Sequence, residues 1–277
     1  MSKTVYFDTN VFDHIHKQIG VTEADLLAPR AAVKTGKIAI LSSILNFEET
    51  LSILESSPSL SVTVLQLILE LTDGQKLIKP PELLLPDAIR GYAKGETLSS
   101  PFLVNPGIQS NIKALVTSTQ QNMNKLLTVV RETQKQKEDF RTAMKTAQDQ
   151  AAPYVRRIKG QQPHFSDYWA KCAPKLAESL AERAGVLNAC KEQGIEGLLE
   201  IRSVRLCVGA NLSLIYAQDF EGRTPKMGDS RDLQHALLAS AAEIFVTHDK
   251  QFARVLARIP ITGFQVLDLH TLLQQVC

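Results

Sequence analysis

Apolar residues along the chain follow two rhythms. Val5-Tyr6-Phe7 is a short continuous apolar run, and from Val11 to Ile15 the spacing turns helical, so the amino-terminal stretch reads as a strand passing into a helix. A helix over Val21 to Val33 follows. Gly36 precedes Lys37 to Leu41, a second short strand, and Ser42 and Ser43 end it where they can cap a helix over Ile44 to Glu55. Ser56-Ser57-Pro58-Ser59 breaks the chain before an apolar helix over Leu60 to Leu71. Asp73-Gly74 turns into a short strand at Lys76 to Ile78, and Pro80-Pro81 starts a helix ending near Gly91. This β-α-α-β-α-α-β-α order predicts an α/β fold with a parallel sheet and helices on its faces.

Between Gly95 and about Gly197 the strand signals vanish. Ile108 to Ala152 contains neither Gly nor Pro, and Met123, Leu126, Leu127 and Val130 repeat at helical spacing before the apolar stripe thins to Phe140 and Met144. A long helix or a helical pair, partly packed, is expected there. The α/β pattern returns afterwards. A helix over Gly197 to Gln218 leads into the loop Thr224 to Gly228, and a second helix opens at Asp229-Ser230-Arg231-Asp232 with Leu233, Ala236, Leu237 and Ser240 inward. The strand Glu243 to Asp249, a helix over Lys250 to Ala257, a last strand over Ile261 to Val266 and a terminal helix over Leu269 to Val276 complete the chain. The expected organisation is a discontinuous core, residues 1–95 and 198–277, interrupted by a mostly α-helical insertion over 96–197.

Composition changes this picture little. The 277 residues are 44% hydrophobic and 22% charged with net charge +2, the profile of a globular chain whose overall field selects no partner. No apolar run approaches the ~20 residues of a membrane span, and Met1 to Thr4 lacks the apolar stretch of a signal peptide. Cys172, Cys190, Cys207 and Cys277 are widely spaced without a Cys-x-x-Cys pair, which argues against a zinc knuckle or disulfide scaffold and for a cytoplasmic setting.

Carboxylates change the picture more. Asp8 and Asp249 end strands, while Glu48, Glu49, Asp229 and Asp232 lie at the starts of helices. In a parallel sheet these points fall along one edge, where open α/β sheets place their ligand chemistry. Carboxylates gathered there repel, and a divalent cation removes that cost. Hard Mg2+ or Mn2+ suits such oxygen ligands better than zinc. It can activate water for in-line displacement at phosphorus. Asn46, Glu49, Thr50 and Ile53 share one helix face, more polar than the face of Ile44, Phe47, Leu51 and Leu54, which favours Glu49 over Glu48 as the acid of the site. Asp232 is assigned to metal, and Asp229 to capping its helix or to a second metal. His14, His16 and His235 read as surface or packing residues, and His248 as solvent-facing.

Val5-Tyr6-Phe7-Asp8-Thr9-Asn10, the Glu48-Glu49 helix start, Asp232-Leu233-Gln234-His235-Ala236 and Val246-Thr247-His248-Asp249 resemble the acidic motifs of PIN-domain nucleases, a family that includes the ribonuclease toxins of bacterial toxin–antitoxin pairs. The resemblance implies a PIN-like three-layer fold, a central parallel sheet flanked by helices. It implies Mg2+- or Mn2+-dependent cleavage of RNA (or single-stranded DNA), and an antitoxin or other protein partner. Asp8, Glu49, Asp232 and Asp249 match the four acids, catalytic and metal-binding alike, with Asn10 and Thr247 in supporting polar positions and Glu48 as the alternative second acid. The insertion of about a hundred residues is a departure from the minimal toxin members.

The insertion carries ten basic and four acidic residues between Lys113 and Lys159. Such a run is either a solvated helix face or a nucleic-acid grip; for the second reading Arg131, Lys135, Arg141 and Arg156 are the substrate-binding candidates. Pro163-His164-Phe165 with Tyr168-Trp169 reads as helix packing rather than base stacking. Other enzyme plans fit less well. A haloacid-dehalogenase-like phosphatase needs an Asp where Asn10 stands, and neither Gly-x-Gly-x-x-Gly nor a P-loop follows the first strand. A PIN-like scaffold that binds RNA or protein without cutting is the non-enzymatic alternative.

Overall fold

In a computed structural model the described residues are 2–17, 23–72, 75–96, 99–103 and 162–276, with isolated positions and short stretches between 114 and 149. Five strands, β1 (Lys3–Phe7), β2 (Ile38–Ser43), β3 (Leu77–Ile78), β4 (Ile244–Val246) and β5 (Gln265–Leu267), form one parallel sheet in the order β3-β2-β1-β4-β5. β1 is central. The chain builds leftward from it to β2 and β3, and later rightward to β4 and β5. The strand order therefore reverses between β1 and β4, the point where open α/β sheets place their ligand crevice, beside the carboxyl ends of the strands.

Helices cover both faces, which is why β1 is apolar at consecutive positions: Val5, Tyr6 and Phe7 are all fully buried. Their alternation divides the core. Val5 and Phe7 join Ile40, Val246 and the helices Thr9–Lys17, Pro58–Leu71 and Leu269–Val276 on one side. Tyr6 and Phe245 join Leu237, Leu238 and Phe252, from the helices Asp229–Leu238 and Lys250–Ala257, on the other. The α/β class and the order of elements match the expectation from sequence. Boundaries move by a few residues: β2 runs on to Ser43, the next helix ends at Leu51 rather than Glu55, and β5 starts only at Gln265.

One strand contact lies beyond Gly95, where none was expected. Phe102 bridges Ile78 antiparallel, flanked by Lys79 N to Pro101 O and Leu103 N to Leu77 O, so residues 101–103 pair along the outer edge of β3. The carboxyl half of residues 96–197 folds as helices Phe165–Arg183, Leu187–Gln193 and Ile195–Leu198. Ala173, Ala177 and Ala181, four apart and fully buried, let the first of these approach the helix Arg202–Phe220 closely, through Val204, Val208 and Leu212. Phe165, Tyr168 and Trp169 take the packing role expected of them: Phe165 meets Tyr216 edge-on with centroids 5.4 Å apart. The stripe Met123 to Val130, along with Met144, lies outside the described residues apart from Thr128. Among the described residues no helix is long and apolar enough to cross a membrane.

A tight contact seats the Arg202–Phe220 helix against the end of the Lys250–Ala257 helix. A Cβ placed on Gly209 meets the Ile259 side chain at 2.6–2.8 Å. Gly209→Ala is expected to lower stability by ~1–3 kcal/mol through overpacking, visible as a reduced melting temperature. Ile259→Val in the same chain should return part of the loss. A melting temperature unchanged in Gly209→Ala would show that the helices separate at no cost.

Candidate active site

Asp8 is the first residue beyond β1, and Asp8 N donates to Val246 O at 2.9 Å, so the strand pairing carries it into the crevice. Its Oδ2 accepts from Thr247 Oγ1 and from Asn10 Nδ2, both at 2.7 Å. Asn10 Oδ1 in turn accepts from His248 N at 3.2 Å, and Thr247 Oγ1 from Asp249 N at 3.0 Å. The ends of β1 and β4 are thereby stitched together, and Asp8 Oδ1 lies 3.7 Å from His235 Nε2. Burial pushes the Asp8 carboxyl above its ordinary range, against the pull of His235 and the Thr247 hydrogen bond.

Glu49 comes from the helix Ile44–Leu51 that follows β2. Asn46, fully buried, seats that helix: its Oδ1 accepts from Ser43 N and Oγ at 3.0 and 3.1 Å, and its Nδ2 donates to Phe7 O at 3.0 Å. One amide thus ties the ends of β1 and β2 together. The same helix turns Glu49 and Glu48 to different partners. Glu49 Oε2 meets His235 Nε2 at 2.8 Å, while Glu48 Oε2 accepts from Arg231 Nη1 at 2.9 Å. Glu49, not Glu48, is thus the acid that stands beside Asp8 and His235.

His235, of the surface-or-packing alternatives its sequence position left open, takes the buried one. It is 2% exposed, and Asp8, Glu49 and His235 offer ligand atoms all within 4.8 Å of one another. Its protonation follows from a chain of hydrogen bonds. Ser43 Oγ gives its only proton to Asn46 Oδ1, so Tyr6 Oη, 2.8 Å from Ser43 Oγ, is the donor there. Tyr6 Oη must then accept from His235 Nδ1, also 2.8 Å away. On the far side Nε2 faces the carboxylate of Glu49, which only accepts. Both ring nitrogens therefore carry protons, and His235 is an imidazolium. Burial works against that charge, but Glu49, Asp8 and Asp232 together outweigh it and raise the imidazole above its usual value.

The other acids are placed less simply. Asp232, one helical turn before His235, is partly buried, and its carboxyl is pushed up to about 7 by burial and then by the charges of Asp8, Asp249 and Asp229, with His235 opposing. Asp249 stands outside the close Asp8–Glu49–His235 group. Its Oδ1 caps the following helix, accepting from Gln251 N at 2.7 Å and Phe252 N at 2.9 Å. It lines a small cleft with Asp229, Asp232, Arg223 and Lys226 over a floor that includes Phe252. Asp229 does not cap its helix. Gly228 holds the N-cap position, and the fully buried Asp229 carboxylate is bound by Arg223 at 2.5 and 2.8 Å and by Lys226 N at 2.9 Å.

His248, expected to face solvent, is half-buried and stacks on His14 with ring centroids 4.2 Å apart and planes 18° from parallel. His16 is exposed. Of the basic candidates in the insertion, Arg131 pairs with Glu55 at 3.4 Å, Arg141 pairs with Glu138, and Lys135 is exposed; Arg156 lies outside the described residues. Comparison with protein-family models, curated proteins and solved structures found no match.

Proposed function

We propose that the chain is a divalent-metal-dependent phosphodiesterase of PIN-like fold that cleaves RNA at the β1/β4 crevice. One observation carries this reading: a buried Asp8, held by Thr247 and Asn10, offers a ligand atom within 4.8 Å of atoms of Glu49 and His235 at the point where the strand order reverses. An aspartate fixed in this way, with further carboxylates nearby, is the oxygen-rich environment that Mg2+ or Mn2+ prefers. Asp8, Glu49 and Asp232 would hold the ion, which supplies Lewis-acid activation of water and charge neutralisation at phosphorus. His235, donating from both nitrogens, offers no lone pair in this arrangement; it holds Glu49 in place and balances its charge. Asp249 anchors the β4 side through its cap.

Incubating purified full chain with mixed single-stranded RNA and DNA, in Mn2+, Mg2+ or EDTA, tests the proposal. Cleavage of RNA that needs the metal is the expected result. Cleavage that persists unchanged in EDTA, or RNA bound tightly and never cut, overturns it, the latter in favour of a binding module.

A pH dependence follows for stability in EDTA. A carboxyl raised from 3.8 to about 7 is more protonated in the folded than in the unfolded chain between those values, so stability falls as pH rises through that window and levels off above it. The raised His235 acts in the same sense, since its contribution is lost as pH climbs through its folded value. Melting temperature in EDTA should therefore decline from pH 5 to pH 8. Asp232→Asn should flatten the decline, and an equal slope in variant and wild type would contradict the assignment.

A further inference from the structure

An acidic crevice repels the phosphates of its substrate, so a nuclease needs a cation beside the carboxylates. Two of the insertion's candidates are tied to acids of their own, Arg131 to Glu55 and Arg141 to Glu138. Arg223 is committed to both oxygens of Asp229. Arg231 differs. It is only 7% exposed and belongs to the helix Asp229–Leu238 that carries Asp232 and His235. Four residues before His235, it lies on the same helix face one turn away. The two residues meet consecutive acids of the facing helix, His235 at Glu49 and Arg231 at Glu48. Its Nη1 donates to Glu48 Oε2 and to Gln234 Oε1, both at 2.9 Å, while Nε and Nη2 hydrogen-bond no described residue. Glu48 is the more open member of the pair, with a side chain 33% exposed against 8% for Arg231.

We propose that Arg231 is the substrate-phosphate clamp of the site, a guanidinium held by Glu48 beside the Asp8–Glu49–His235 pocket and grasping a phosphodiester of single-stranded RNA next to the one that is cut. The assignment rests on the phosphodiesterase reading above and names what grips its substrate. A guanidinium suits the task because it keeps its charge at any working pH and presents paired N–H donors to two phosphate oxygens. Burial of the side chain and its bond to Glu48 fix the direction of the fork, so little freedom remains to be lost on binding. Glu48 holds the fork in place and competes with phosphate for it.

The two partners of the pair predict opposite outcomes. Binding is measured by fluorescence anisotropy of a short labelled RNA of mixed sequence on the full chain, with Ca2+ occupying the carboxylates, over a series of salt concentrations. Cleavage in Mn2+ is measured separately. Arg231→Gln should weaken binding about tenfold to a hundredfold, the range for a hydrogen bond to a charged group. It should also reduce the slope of log affinity against log salt by about 0.7, one phosphate contact on a single strand. Glu48→Gln, which removes the competing acid, should bind RNA more tightly than wild type, and Arg231→Lys should recover part of the affinity. A purely structural ion pair would make both single variants melt earlier and bind worse together, and that parallel loss overturns the proposal. So does Arg231→Gln binding with unchanged affinity and slope, or a wild-type chain that does not bind RNA. If the wild type binds but never cleaves while the variants split as described, the clamp stands and the phosphodiesterase reading fails. Cleavage by wild type with Arg231→Gln unaffected is the reverse case.

Discussion

Asp8→Asn should leave a folded protein that has lost metal-dependent cleavage by at least about 10²–10³-fold, the scale on which removing one element of a preorganised electrostatic site is felt. The substitution is nearly isosteric. The asparagine carbonyl can take the place of Oδ2 and accept from Thr247 Oγ1 and Asn10 Nδ2, now at 2.7 Å. What disappears is the negative charge that a divalent ion needs. Because burial holds the Asp8 carboxyl above its ordinary range, its ionised form opposes folding at neutral pH. The variant should therefore melt no lower than wild type at pH 8 in EDTA, and higher if relief from Glu49 exceeds the loss of attraction to His235. In acid, where the wild-type carboxyl is protonated, the two should converge. The combination of lost cleavage and retained melting temperature separates a role in chemistry from a role in folding. A variant that still cleaves at the wild-type rate removes Asp8 from the mechanism, and with it the reason for assigning a metal to the crevice.

Local pattern carried much of this site. Asp8 was legible because a continuous apolar run ends in a carboxylate, and its buried position follows from a central strand covered on both faces. Helical spacing puts Glu49, unlike Glu48, on the polar face with Asn46 and Thr50, and the structure buries both of these neighbours. Other features depend on partners far away in sequence. His235 lies 186 residues from Glu49 and 229 from Tyr6, and nothing near it in the chain marks it as charged. The one local hint is its position three residues after Asp232, which places both on adjoining turns of one helix.

Two signals were present and were outweighed. An aspartate directly before Lys250-Gln251 at a helix start is a natural N-cap, and Asp249 is used in that way. Glu138 and Arg141 sit three apart, the spacing of an intrahelical ion pair, so net charge alone overstated how much of that stretch was available to phosphate. The Phe102 bridge was hidden for a different reason: a single antiparallel contact to a two-residue strand has no periodicity to read.

Removing His235 is the strongest test of how the acidic pocket holds together. His235→Ala deletes a buried cation that is hydrogen-bonded at both nitrogens, and leaves Glu49, Asp8 and Asp232 facing one another without it. Loss of one partner from a buried pair costs roughly 3–5 kcal/mol. At roughly 2–4 °C per kcal/mol for a chain of this size class, the melting temperature in EDTA should fall by about 6–20 °C. The response to Mn2+ then distinguishes two roles for the imidazole. As a competing cation, its removal opens the carboxylates to metal, and the Mn2+-induced rise in melting temperature should be larger in His235→Ala than in wild type; saturation at a hundred times the dissociation constant is worth about 2.7 kcal/mol. As a metal ligand, its loss should make that rise smaller. The hydrogen-bond polarity set by Ser43, Asn46 and Tyr6 favours the first outcome, since it leaves neither nitrogen with a lone pair. A smaller rise would mean that the proton on Nε2 gives way to the ion. An unchanged melting temperature in EDTA would mean that the pocket does not depend on the imidazolium at all.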